Sequence, residues 1–373
     1  MTTYPLPDVY PQEIFPVVPP RFLTGVPVFL GYADSGPVNE PVLVQLWPHF
    51  VATFGSTYPG GYLAQAVRGF FENGGRVGYV LRLNDDDQLT TTQQLQEGLT
   101  AVSNLDNIDL ICTPDLVRQA TLDSVIALQR TLLDHCQLMG DRFAILDTPA
   151  LASRETVLEQ KAALNSSYGA LYHPWLSIAD SAEAVPPCGH IAGIYARSDQ
   201  RVGVHKAPGN EVLQGVLALA AELGKTDQTV LFANNINFLR PITGRGIHVW
   251  GVRTLSDDPA WQYVNIRRLF ITVGRWLEQF MMQLLFEPND VRLWVRIVRE
   301  VTAYLTNVYQ RGALKGSTPN HAFYVKCDEE LNTTAVRDAG QVITQIGLAT
   351  AVPGEFIDLR IVRGSSGVTI SEQ

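Results

Sequence analysis

Apolar runs and helical stripes alternate along the chain from residue 26 onward. VPVFLGYA (26–33) is an apolar run ended by Ser35-Gly36-Pro37, and it predicts a buried strand. Tyr62 to Phe71 carries Leu63, Ala66, Val67 and Phe70 at helical spacing. Asn73-Gly74-Gly75 then offers a stop that tolerates positive φ. VGYVLRL (77–83) reads as a strand, stopped by Asp85-Asp86-Asp87. Residues 89–102 predict a helix and 108–112 a strand. Residues 116–136 predict one helix, with Leu122, Val125, Ile126, Leu132, Leu133 and Cys136 as its stripe. Residues 142–146 read as a short buried strand, 153–164 as a helix and 171–178 as extended. VLQGVLALAAEL (212–223) reads as a helix. Strand–helix alternation with short turns predicts a mainly parallel sheet covered by helices.

Toward the C-terminus the pattern changes. Residues 265–285 and 290–311 predict two long amphipathic helices. The first buries Ile266, Leu269, Phe270, Val273, Leu277 and Phe280; the second buries Trp294, Ile297, Val298, Val301, Leu305 and Val308. Glu287-Pro288-Asn289-Asp290 ends the first and caps the second, and Gly312 ends the second. Strands are predicted at 322–327, 341–349, 356–362 and 368–370. At the other end, six prolines crowd the first twenty residues. Proline lacks an amide donor and fixes φ, so this stretch is neither helix nor central strand. Its apolar Tyr4, Val9, Tyr10, Ile14, Phe15 and Val17 nevertheless suit an extended arm that docks on a surface, either its own domain or another chain.

Composition adds exclusions. Hydrophobic residues make up 46% of the chain and charged residues 17%, an ordinary globular balance. A net charge of −9 argues against non-specific nucleic-acid binding. There is no apolar window long enough for a membrane span, and no secretory signal pattern at the N-terminus. Cys112, Cys136, Cys188 and Cys327 are scattered without any C-x-x-C pair, which predicts reduced thiols in a protein made in the cytoplasm.

Candidate chemistry is mostly rejected. Gly224-Lys225-Thr226 resembles the end of a phosphate loop, but Leu219 stands where that motif needs glycine. Cys188 and His190, with His205, suggest a thiol nucleophile or a metal site. Cys-x-His is poor metal spacing, however, and Cys188 reads as part of a proline–glycine turn. Asp257 and Asp258, and Glu287 and Asp290, read as caps at helix starts. Arg267, Arg268 and Arg275, with Arg292, Arg296 and Arg299, form two arginine-bearing helix faces, suited to an acidic partner or simply solvated. No catalytic, cofactor or metal residue is assigned.

Several separated motifs resemble the sheath proteins of contractile phage tails and phage-tail-like injection systems, in the same order. They include FLGYADSGPVNEPVLV (29–44), AVRGFFENGGRVGYVLR (66–82), RFAILDTP (142–149) and SSYGALYHPWL (166–176). The most specific are GHIAGIYARSD (189–199), GVHKAPGNEVL (203–213), RGIHVWGVRTLS (245–256), YVNIRRLF (263–270) and FEPND (286–290). Val273-Gly274-Arg275-Trp276 and Met281-Met282 depart from the more polar helix expected there, and glycine weakens a helix interior by roughly 1 kcal/mol.

The resemblance implies an α/β fold. A parallel or mixed sheet forms an outer domain (21–240), followed by an α+β inner, tube-facing domain with two long helices (241–355). An extended N-terminal β arm (1–20) and a C-terminal strand arm (356–373) join subunits, the latter through Phe356, Ile357, Leu359, Ile361 and Val362. It further implies a non-enzymatic structural subunit without cofactor. Such subunits form hexameric rings stacked as a helix around an inner tube protein, alongside baseplate and tube-terminator proteins and sheath paralogues, with neither nucleic acid nor membrane insertion. Arg267, Arg268, Arg292, Arg296 and Arg299 become candidates for the tube-facing or inter-ring surface. The rival readings are an α/β cysteine hydrolase with a docking arm, and a baseplate or tube-cap component of the same particle.

Overall fold

The structure is a computed structural model that describes residues 23–86, 88–119, 121–350, 356–364 and 367–372. Tyr4, Val9, Tyr10, Ile14, Phe15 and Val17 lie outside the described residues. From the start of the described chain the elements are β1 (Pro27–Gly31), β2 (Val42–Val44), α1 (Trp47–Phe54), α2 (Leu63–Glu72), β3 (Gly78–Arg82) and α3 (Thr91–Val102). They continue with β4 (Leu110–Cys112), α4 (Leu122–Met139), β5 (Phe143–Asp147), α5 (Arg154–Ala162), β6 (Gly169–His173) and β7 (Leu176–Ile178). Then follow α6 (Cys188–Arg201), β8 (Val216–Leu219), α7 (Lys225–Ala233), β9 (Asn237–Ile242) and β10 (Gly246–Trp250).

Among the described residues, eight of these strands form one sheet in the order β10-β9-β6-β5-β4-β1-β3-β2. The six interior strands run parallel, and β2 and β10 are antiparallel edges. β1, β5 and β6 are buried on both faces, as continuous apolar runs require in a parallel sheet. Alternate side chains separate two cores. Phe29, Leu110, Cys112 and Ile145 face α2 and α6. Val28, Leu30, Ile111 and Leu146 face α3, α4 and α5. Thr90, Thr121 and Ser153 cap those three helices, each accepting a first-turn backbone N–H.

The second unit holds α8 (Val264–Gln283), α9 (Val291–Gln310), α10 (Pro319–Ala322), β11 (Phe323–Lys326), α11 (Thr334–Asp338), β12 (Val342–Leu348), β13 (Ile357–Gly364) and β14 (Gly367–Glu372). The strands form an antiparallel sheet in chain order. One face of that sheet, through Val342, Ile346, Leu348, Leu359 and Ile361, shares a core with α8 and α9.

Three expectations need correction. Residues 116–136 are not one helix: a short 3-10 turn (Leu116–Arg118) precedes α4. The chain is held there by Asp115, whose buried carboxylate accepts the Tyr32 N–H at 2.8 Å and the Tyr62 N–H at 2.5 Å. Burial pushes this carboxyl up to about 6, against the pull of those two amides. Residues 212–223 are not a helix either. Gly215 takes φ of 77°, and β8 pairs with β7 in a separate two-stranded sheet. Finally, a boundary at 240/241 would cut β9, whose hairpin with β10 completes the large sheet, so the first unit extends past Trp250.

Candidate assembly interface

Helix α8 is buried almost all round. Val264 and Ile271 enter the α2/α6 core, whereas Leu269, Phe270, Val273 and Leu277 enter the core of the second unit. The helix is therefore a strut between the two units. Its stripe is the one the sequence predicts; its second buried face is not.

That second face relocates two predicted surface residues. Arg267 and Arg268 are 1% and 2% exposed and do not present their charge outward, which corrects their assignment to a tube-facing surface. Arg268 donates to Asp109 at 2.9 Å and to both oxygens of Asp199 at 2.6 and 3.0 Å. Burial works against its charge, but the two carboxylates outweigh it and hold the guanidinium above its ordinary range. Burial likewise raises Asp199, with Arg268 opposing. Asp109 also accepts the N–H groups of Gly25 at 3.0 Å and Val26 at 2.7 Å. The start of the described chain is thereby tied to β4, α6 and α8 at one buried point. Gly25 takes φ of 72° there, and an added Cβ would stand 2.5 Å from Ala196 Cα.

Arg267 points the other way. Its guanidinium lies 3.5 Å from the Trp261 ring centre and 4.4 Å from that of Tyr168. It is ion-paired with Glu372 at the end of β14. Arg275 donates to the Asp106 carbonyl at 2.7 Å.

Helix α9 does present a surface. Leu293, Trp294, Ile297, Val301 and Leu305 face inward. Val291, Arg292, Val295, Arg296 and Arg299 face solvent. Arg296 and Arg299 carry local ion pairs with Glu287 and Glu300 at 3.1 and 2.7 Å. Exposed pairs of this kind add little stability, so these arginines can exchange their local carboxylates for those of a partner at little cost. Phe286, at the turn between α8 and α9, is fully exposed. The C-terminal strand residues divide. Leu359 and Ile361 are built into their own core, Ile357 and Val362 are half-buried, and exposed Phe356 meets the Tyr324 ring edge-on.

Helix α6 was missed because Pro186-Pro187-Cys188-Gly189 reads as a turn; Pro187 is in fact its N-cap. Gly189 and Gly193 lie one turn apart and let α6 approach α2. Added Cβ atoms there would stand 2.1 Å from the Ala66 carbonyl oxygen and 2.5 Å from that of Phe70. The GHIAGIYARSD motif is thus a packing surface that also delivers Asp199 to the YVNIRRLF motif through Arg268. Cys188 is fully buried beside Cys112 and Asp147, and burial raises its thiol well above the reactive range. His190 packs instead against Gly69, and burial pushes it down to about 4. These two groups do not make a hydrolase site. Gly224 caps α7 without a glycine loop, and Asp290 caps α9 through the Arg292 and Leu293 N–H groups. Among the described residues, no group of three or more His, Cys, Asp or Glu is placed to hold a metal, and no helix is long and apolar enough to cross a membrane.

Comparison with known proteins decides what this architecture is. Residues 90–255 match the phage tail sheath protein central domain, and residues 256–363 match the phage tail sheath C-terminal domain. The chain belongs to the phage tail sheath family. Its junction between α6 and α8 spans both sheath domains, with Asp109 and Asp199 in one and Arg268 in the other. The tail sheath protein of Vibrio phage KVP40 is 29% identical over half of this chain, which spans only 28% of that protein's length. The tail sheath protein of Escherichia phage P2 is 24% identical, with 88% of this chain and 86% of that one covered. Among solved structures, the helical sheath of the anti-feeding prophage in its contracted state superposes with a TM-score of 0.77 at 28% identity, covering 95% of this chain and 98% of that one. The contracted sheath of the PVC extracellular contractile injection system gives 0.75 at 28% identity, covering 96% and 97%.

Proposed function

We propose that this chain is a subunit of a contractile sheath. The observation that carries the reading is the near end-to-end superposition on a subunit of the contracted anti-feeding prophage sheath. Six subunits form each ring. The rings stack as a helix around an inner tube, with baseplate and tube-terminator proteins at the ends. On triggering, subunits turn as rigid bodies and repack into a shorter, wider lattice, driving the tube through a target envelope. The arm at 1–20 and the C-terminal strand β14 keep the mesh connected by adding strands to neighbours. Each strand hydrogen bond contributes only about 0.5–1.5 kcal/mol net, and repetition through the lattice makes the mesh strong. No nucleotide or cofactor takes part. The protein is made in the cytoplasm and acts within the assembled particle.

The buried arginine–carboxylate junction supports rigid-body movement, because it fixes the two units to one helix. Arg292, Arg296 and Arg299, on the solvent face of α9, are the candidate tube-facing or inter-ring contacts. A second reading, a ring at the baseplate end, is favoured by an equal TM-score of 0.77 to a subunit in the anti-feeding prophage baseplate.

Negative-stain electron microscopy of the full-length protein and of a form lacking residues 1–20 tests this. Long striated hollow tubes are expected from the full chain and none from the truncation. Single rings of full-length protein would favour the baseplate reading, and uniform monomers in both samples would sink intrinsic self-assembly. Reversing Arg292, Arg296 and Arg299 to glutamate is expected to abolish sheath formation around a supplied inner tube while leaving the melting temperature unchanged. Normal co-assembly would remove these residues from the contact.

A further inference from the structure

The C-terminal strand closes on its own subunit. β14 is the edge of the four-stranded sheet, paired with β13 from Leu359↔Glu372 to Gly364↔Gly367. It lies against α8, where two features on one face receive it. Gly274 lies under Ile370, whose Cδ1 would make ordinary van der Waals contact, at 3.8 Å, with an added Cβ. Two turns earlier, Arg267, gripped between Trp261 and Tyr168, holds the Glu372 carboxylate. The glycine that departs from a normal helix pattern thus sits under the strand, and a buried arginine with aromatic walls ends it.

β13 and β14 differ in how firmly they belong. β13 contributes Leu359 and Ile361 to the core, whereas no residue of β14 is fully buried. β14 rests only the partly buried Val368 and Ile370 on that core, so its departure uncovers the core's edge, whereas loss of β13 would remove part of the core itself.

We propose that β14 is a self-cap. In the free subunit it occupies its own seat on α8, latched by Arg267 and Glu372, and the latch must open before the strand is handed to a second copy of this chain. This rests on the strand-exchanging sheath reading above. The contacts are the same in cis and in trans, so exchange changes little in contact energy. In cis the strand is tethered, at an effective concentration on the order of millimolar. Dilute subunits therefore stay closed, and exchange takes over where subunits are crowded on a growing end.

Hydrogen exchange on the free full-length protein tests closure directly. β14 amides are expected to be protected, and Glu372→Gln is expected to speed their exchange about tenfold while leaving β12 unchanged. Unprotected β14 amides in the parent, or unchanged rates in the variant, would overturn the latch. The hand-over is tested with Val362→Cys/Thr369→Cys, which pairs facing positions on β13 and β14. The four native cysteines are buried and do not compete. When oxidised, this variant should give no light-scattering signal of assembly under conditions where the parent assembles, and reductant should restore it. Assembly of the oxidised form at the parent rate would overturn the hand-over. A parent that never assembles would take down the sheath reading and the hand-over with it, while the exchange data would still decide closure.

Discussion

Arg268→Ala is expected to lower the melting temperature of the subunit by about 5 °C. The side chain is 2% exposed, and so is Asp199; Asp109 is 3% exposed. Removing one member of a buried ion network leaves the others charged and desolvated, which costs about 3–5 kcal/mol. At an unfolding entropy of roughly 2.1 cal/mol/K per residue, a cooperative chain of 373 residues shifts by about 1.3 °C per kcal/mol, which gives that change. A second variant separates lost charge from lost packing. Arg268→Met combined with Asp109→Asn and Asp199→Asn removes every charge at the junction, and should recover more than half of the loss. If scanning calorimetry shows the triple variant as unstable as Arg268→Ala, the junction holds by shape and not by charge pairing.

Gly189→Ala is expected to be nearly as damaging, though it adds only one methyl group. Its Cβ would stand 2.1 Å from the Ala66 carbonyl oxygen and 2.5 Å from the carbonyl carbon, both backbone atoms of α2. No side-chain rotation relieves that overlap, so α2 and α6 must separate and release Phe70 and Ile191 from a fully buried interface. Overpacking costs typically 1–3 kcal/mol, and an immovable backbone partner puts this case at about 3 kcal/mol or more. Gly140→Ala is the control: it meets nothing within 4 Å but keeps a left-handed φ of 69°, so it isolates the backbone penalty alone. Equal melting temperatures for Gly189→Ala and the parent would show that α6 shifts freely, against the close approach described here.

Strands β1, β3, β4, β5 and β6 of the large sheet and the two long helices were legible, because buried parallel strands and amphipathic helices leave strong periodic patterns; β2, β9 and β10 were not read. Three further features escaped for identifiable reasons. VLQGVLALAAEL is a short apolar run that either element could use; its state is set by Gly215 and by pairing with β7, neither of which periodicity reports. α6 begins behind two prolines and a glycine, residues that usually punctuate turns, and the glycines are there for its neighbour. Arg267 and Arg268 flank the apolar stripe of α8, and a single-helix pattern puts such charges in solvent. Only the packing of a second unit turns that flank inward. The hint in the sequence was Asp109, a lone carboxylate at the head of Ile108-Asp109-Leu110-Ile111-Cys112, a run otherwise fit for a buried strand.

Arg267 and Arg268 are neighbours in sequence, yet one holds Glu372 and the other, through Asp109, holds Gly25 and Val26. Both ends of the described chain are therefore moored to α8 one residue apart. If, as proposed, tails knit the mesh, a pull arriving through one of them reaches α8 within one residue of the other. Gly25 and Val26 lead straight into β1, and Asp109 into β4, so the load is shared between α8 and the centre of the eight-stranded sheet. The outer strands of that sheet lie off this path and are free to vary in surface without weakening it.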